Sequence, residues 1–141
     1  MDRPYRFALE DPPAQADLAL LEEQVAAAAI AAAGLGDDEE FGIFARDDRG
    51  RIVAGISGIA WAGCCELQAM WVDERLRRRG LARALMAEAE AEARRRGCVL
   101  VQFRAYDLLA PGLYERLGYD TVGMIEGCPV GSTARWYRKD L

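Results

Sequence analysis

The chain has 141 residues, 18 Lys+Arg against 23 Asp+Glu for a net charge of −5, and 52% hydrophobic residues. That length is one domain, expected to run over residues 1–141, with enough chain to bury a core without staples. The balance excludes a disordered or fibrous protein and argues against a general nucleic-acid binder; the absence of histidine excludes every histidine triad, histidine metal site and histidine general base.

Residues 5–9 alternate aromatic or apolar with other side chains and predict a short first strand. Asp11-Pro12-Pro13 supplies a helix start, with a carboxylate for free amides and proline where no amide is needed. Leu18, Leu21, Val25 and Ala29 follow at helical spacing, and Gly34 suits the left-handed residue after a helix. A loop is expected over 34–40; its Gly-x-Gly leads through acids into a strand, the wrong context for holding a phosphate. Residues 41–45 and 52–61 read as two strands of a hairpin, joined by a turn over 47–50.

A strand over 67–72 follows, then a long helix over 81–96 with Leu81, Leu85, Ala89 and Ala93 on one stripe, closed by Gly97. Glu90–Arg94 and Glu92–Arg96 have the favourable i,i+4 order. Strands over 99–103, 121–125 and 134–139 and a short helix over 111–117 complete the chain. The order β-α-β-β-β-α-β-α-β-β predicts an α/β (α+β mixed) fold: a mixed, mostly antiparallel sheet flanked by helices. One parallel pair is expected across the strand–helix–strand unit from residue 67 to residue 103.

Cys64, Cys65, Cys98 and Cys128 form no C-x-x-C pair, so they read as reduced thiols of a cytoplasmic protein rather than a zinc or redox motif. The first ten residues are charged and short of apolar side chains, unlike a signal peptide, and the alanine-rich run over 25–33 is too short and weakly apolar to span a bilayer.

The densest chemical signal is Val72-Asp73-Glu74-Arg75-Leu76-Arg77-Arg78-Arg79-Gly80-Leu81-Ala82-Arg83. A strand ends, and a turn crowded with arginine enters a long helix. Gly80 and Ala82 leave little bulk there, and the first amides of the helix point outward with the helix dipole behind them. Such a turn suits a phosphate or pyrophosphate; it also reads as a solvated basic turn at a helix start.

Arg77-Arg78-Arg79-Gly80-Leu81-Ala82 is similar to the Q/R-x-x-G-x-G/A signature of the GNAT superfamily of acyl-CoA-dependent N-acetyltransferases. Trp71-Val72-Asp73-Glu74 ahead of it, residues 88–97, and Pro111-Gly112-Leu113-Tyr114-Glu115-Arg116-Leu117-Gly118-Tyr119 resemble further segments of that family. The resemblance runs over about residues 5–141, strongest over 67–119, and its ending resembles small stand-alone bacterial members.

It implies acetyl-CoA as cosubstrate and no metal. The turn amides from Arg77 to Ala82, with Arg79, Gly80, Leu81 and Arg83 beside Arg78, would hold the CoA pyrophosphate, and the edge of the 67–72 strand would bond the pantetheine arm. An amide near Trp71 or Val72 would stabilise the oxyanion. Arg78 stands where many members carry glycine, and Asp107 where many carry an asparagine that contacts the cofactor. Tyr114 matches the family tyrosine beside the CoA sulfur and is the expected proton donor. With no histidine, Glu66 is the expected base or substrate contact; it begins the strand and shares a face with Gln68 and Met70 at period two.

Glu39 and Glu40 could line the amine site instead, and Trp61, Trp71, Tyr106 and Trp136 could shape a pocket for a cation. Cys64 or Cys65 could support a ping-pong path, but the resemblance argues for direct transfer. The expected activity is acetyl transfer from acetyl-CoA to a primary amine. The competing readings are a non-catalytic acyl-CoA-binding regulatory domain and a nucleic-acid binder through the arginine clusters. No membrane partner is expected, and the resemblance allows a homodimer through the C-terminal strands.

Overall fold

The structure, a computed structural model, describes residues 4–34, 36 and 38–141. The chain forms two compact units, residues 1–37 and 38–141.

In the first unit, α1 spans Gln15–Ala33. The expected cap at Asp11 falls too early, because residues ahead of proline are pushed into the extended region. The helix instead starts after extended Ala14, whose carbonyl accepts from Asp17 N and Leu18 N at 3.1 and 3.2 Å. Gly34 closes it at φ 65°, as its position predicted. The strand expected over residues 5–9 does not form. Alternation makes a segment able to pair, but a strand needs a ladder partner, so the observed order lacks its first β. Of the loop expected over 34–40, Leu35 and Asp37 lie outside the described residues, and Glu39 and Glu40 belong to a strand.

The second unit is a six-stranded sheet in the order β1-β2-β3-β4-β6-β5. The strands are β1 (Glu39–Arg46), β2 (Ile52–Trp61), β3 (Cys64–Val72), β4 (Leu100–Tyr106), β5 (Asp120–Glu126) and β6 (Thr133–Asp140). The hairpin of β1 and β2 is antiparallel, as its turn required; Asp47 holds that turn by accepting from the amides of Arg49 and Arg51, both at 2.9 Å. Ala62 and Gly63, both at positive φ, link β2 to β3 in a second antiparallel hairpin.

Among the described residues the one parallel pairing, β3 with β4, is shorter and earlier than expected. It joins Cys64, Cys65 and Glu66 to Leu100, Val101 and Gln102. Beyond Glu66 the two strands no longer pair.

Helix α2 (Leu81–Arg95) covers one face with buried Leu85, Met86, Ala89 and Ala93. They meet Ala54, Ile56, Cys65, Leu67, Val101 and Phe103 in the core. Each fully buried Leu or Met side chain contributes about 1.5–3 kcal/mol, and the alanines let the helix approach the sheet. Glu92 bonds Arg96 at 2.8 Å as its spacing predicted, but Glu90 does not pair with Arg94. Glu90 lies on the inner stripe, where its Oε1 accepts from Tyr119 Oη and Lys139 Nζ, both at 2.9 Å. Helix α3 (Leu113–Arg116) is a single turn. Among the described residues no helix is long and apolar enough to cross a membrane.

Candidate active site

Where β3 and β4 part, a cleft of about 1280 Å³ opens. Gln68–Val72 of β3 forms one lip, and Arg104, Ala105 and Tyr106 of β4 the other. The turn ahead of α2 and residues between Leu109 and Arg116 complete the lining.

The local cause on β3 is a bulge. Leu67 pairs with Gly58 and Ala69 with Ser57, so Gln68 is an extra residue. A bulge kinks its strand, raises the twist and resets the alternation. Consequently Met70, opposite buried Ile56, returns to the α2 face, while Glu66 pairs with Ile59 on the opposite face. The expected common face of Glu66, Gln68 and Met70 is therefore corrected by one inserted residue.

The turn is organised by Asp73. Its carboxylate accepts from the Arg75 amide at 2.9 Å and from the Arg75 side chain at 3.1 and 2.9 Å. The Arg75 guanidinium holds the Asp73 carboxyl down at about 2. A single 3-10 turn over Glu74–Leu76 follows, and Arg77 Nε ties it back to the Val72 carbonyl at 3.3 Å. Arg78 is left-handed at φ 64° and Gly80 at φ 82°. Among the described residues, the amides of 78–83 donate to no backbone carbonyl. A Cβ on Gly80 would meet nothing within 4 Å, so the backbone there is open to a ligand.

Arg77, Arg78, Arg83, Arg104 and Arg116 line the cleft, and among the described residues no Asp or Glu does. In a chain of net charge −5, this concentrates positive potential where backbone donors are free. The residues present fit the phosphates of a nucleotide.

Tyr114 reaches the cleft from α3. Its ring packs edge-on to Phe103 at 4.6 Å between centroids and tilts against Tyr137 at 5.3 Å. Burial raises its pKa above the ordinary phenol value, so it stays protonated and able to donate.

Trp71, Val72, Arg77, Arg78, Gly80, Leu81, Ala82, Arg83 and Tyr114 are thus brought together, with Tyr106. Arg79, Glu66 and Asp107 lie off the lining. Glu66 is in the last β3–β4 pair, on the face of the sheet opposite Met70. Asp107 is occupied: its carboxylate accepts from Arg135 Nε at 2.7 and 3.0 Å. Glu39 pairs with Arg96 at 3.1 Å, away from the cleft. Burial pushes the Cys65 thiol up to about 12, and neither Cys64 nor Cys65 lines the cleft, so no thiolate is offered there. Sequence reasoning missed Arg104 and Arg116, because a lone arginine on a strand or helix carries no motif.

The family model for the acetyltransferase (GNAT) family matches residues 3–119. The chain belongs to the GNAT family. It is 35% identical over 104 residues to blasticidin-S acetyltransferase of Streptomyces morookaense, covering 73% of this chain and 76% of that protein. A crystal structure assigned as an acetyltransferase from Agrobacterium tumefaciens matches with a TM-score of 0.90 at 28% identity, over 97% of this chain and 100% of the other. An aminoglycoside 6'-N-acetyltransferase complexed with coenzyme A shares the fold, with a TM-score of 0.63 at 20% identity over 72% of this chain and 73% of the other. This GNAT chain is an acyltransferase enzyme, so the binding-only reading is set aside.

Proposed function

We propose that the protein moves an acetyl group from acetyl-CoA directly to a primary amine of a small cationic molecule of the blasticidin-S kind, with residues 1–141 acting as one acyltransferase unit. The observation that carries the reading is the cleft itself: free amides over residues 78–83, five arginines in its lining, the parted edge of β3 along its length, and Tyr114 beside it. The diphosphate of the substrate binds the turn amides, and the pantetheine arm bonds the free edge of β3 as a further strand would. An amide near Trp71 or Val72 donates to the thioester oxygen as charge develops there.

The amine, having lost a proton to Glu66 directly or through water, attacks the thioester carbon. The N–C bond forms, the C–S bond breaks, and Tyr114 gives its proton to the departing thiolate. Proximity of amine and thioester supplies much of the rate. The acidic balance of the chain, −5, favours a cationic acceptor, and the relative named for blasticidin S supports that class. Four free cysteines suit a reducing cytoplasm. Exposed Val122, Met124 and Ile125 on edge strand β5 suit pairing of two copies.

The test is release of free thiol from acetyl-CoA on addition of blasticidin S, spermidine, kanamycin or an amino acid, with the acetylated product identified by mass spectrometry. Turnover with blasticidin S and none without an amine is the expected result; no thiol release with any amine would overturn it.

A further inference from the structure

Helix α3 is too short to hold itself together, since an isolated turn of helix pays the nucleation cost without the return of propagation. What fixes it is side chains of β6. Tyr137 Oη donates to Glu115 Oε1 at 2.8 Å, and the Tyr137 ring lies against Tyr114. Two residues earlier on the same strand, Arg135 Nε reaches both oxygens of Asp107. Arg135 and Tyr137 pair with Ala105 and Phe103 of β4 and so share the α2 face of the sheet. Asp107 opens the segment whose Leu109, Ala110 and Pro111 line the cleft, and its amide donates to Thr133 O at 3.0 Å.

We propose that Arg135 and Tyr137 are positioning residues: β6 grips the far wall of the cleft at two points, Arg135 setting the cofactor-binding segment through Asp107, and Tyr137 setting the Tyr114 hydroxyl through Glu115. The inference rests on the acetyl-transfer reading above. It assigns Asp107 an indirect part in cofactor binding and gives the two grips separable effects. Loosening the Arg135 grip displaces lining residues and weakens binding. Loosening the Tyr137 grip leaves the phosphate turn untouched and misdirects the proton donor.

The experiment is steady-state kinetics with CoA calorimetry on Tyr137→Phe, Glu115→Ala, Glu115→Gln, the Glu115→Ala/Tyr137→Phe double variant and Arg135→Met, each checked for cooperative melting. Tyr137→Phe is expected to lower kcat about tenfold with CoA affinity within about twofold, on the scale of a misplaced catalytic group. Glu115→Ala repeats that loss, the double variant adds little to it, and Glu115→Gln, which can still accept the hydrogen bond, recovers most of it. Arg135→Met raises the KM for acetyl-CoA with kcat largely kept. If the wild type turns over while folded Tyr137→Phe keeps its full kcat, or if the Glu115 and Tyr137 losses multiply, the grip is overturned. A wild type that neither binds CoA nor releases thiol would overturn the acetyl-transfer reading itself.

Discussion

Glu66 and Gln102 face each other as the last pair of the β3–β4 ladder, and two residues beyond Glu66 stands the bulge residue, Gln68. The cleft is a consequence of that adjacency. Parallel strands that pair over three positions and then part leave edge groups that need a partner, and the sheet offers them to whatever enters. Deleting Gln68 would straighten β3 while leaving Met70 and Val72 on the core face, because only the extra residue is lost. The expected outcome is a folded protein whose transfer rate drops by about tenfold or more, the scale on which displaced binding groups act. Kinetics alongside circular dichroism check it.

Tyr114 is the proton donor in this account, and its removal has a narrow expected signature. Tyr114→Phe keeps the ring packed on Phe103 and loses only the hydroxyl. Turnover should fall about 10–100-fold, as for loss of a general acid, with CoA affinity nearly unchanged. Steady-state kinetics with calorimetry read both quantities. Equal turnover in the two proteins would remove Tyr114 from the mechanism.

Stability at high pH follows from the buried phenols. Burial first, then the Glu115 hydrogen bond, pushes Tyr137 up to about 12, and burial raises Tyr114 and Tyr119 as well. Each folded pKa lies above the unfolded value, near 10. Between the two, the unfolded chain has released protons that the folded chain keeps, so stability falls as pH rises. The melting temperature should therefore hold up to about pH 10 and decline above it. Tyr137→Phe should decline less steeply over the same interval, because one of the contributing groups is gone. Thermal melts across a pH series check the slope.

Much of this was legible in the residues, and what was not has identifiable causes. The stripe of Leu85, Ala89 and Ala93 found its core because a helix period repeats over many residues and small errors average out. The arginine turn was legible because a strand end, glycine and a helix start are local features. The face of Glu66 was misread because a bulge is a matter of pairing between strands, and nothing in the order of residues 64–72 announces the extra one. Glu90 escaped for a similar reason: an i,i+4 partner four residues on is visible in sequence, whereas Tyr119 and Lys139, which it actually meets, arrive from distant strands. The first strand failed because alternation over residues 5–9 describes a segment that can pair, not one that has.

The central claim is that the turn from Arg77 to Arg83 receives the diphosphate of acetyl-CoA, and calorimetric titration of acetyl-CoA into the wild type and Gly80→Val tests it most directly. A side chain at Gly80, where φ is 82° and the Cβ would project into open space, strains the turn and obstructs the approach of a phosphate to its amides. The account predicts one-to-one binding by the wild type and an affinity at least about tenfold weaker in a still-folded Gly80→Val, about 1.4 kcal/mol of lost interaction. The same affinity in both proteins would contradict it.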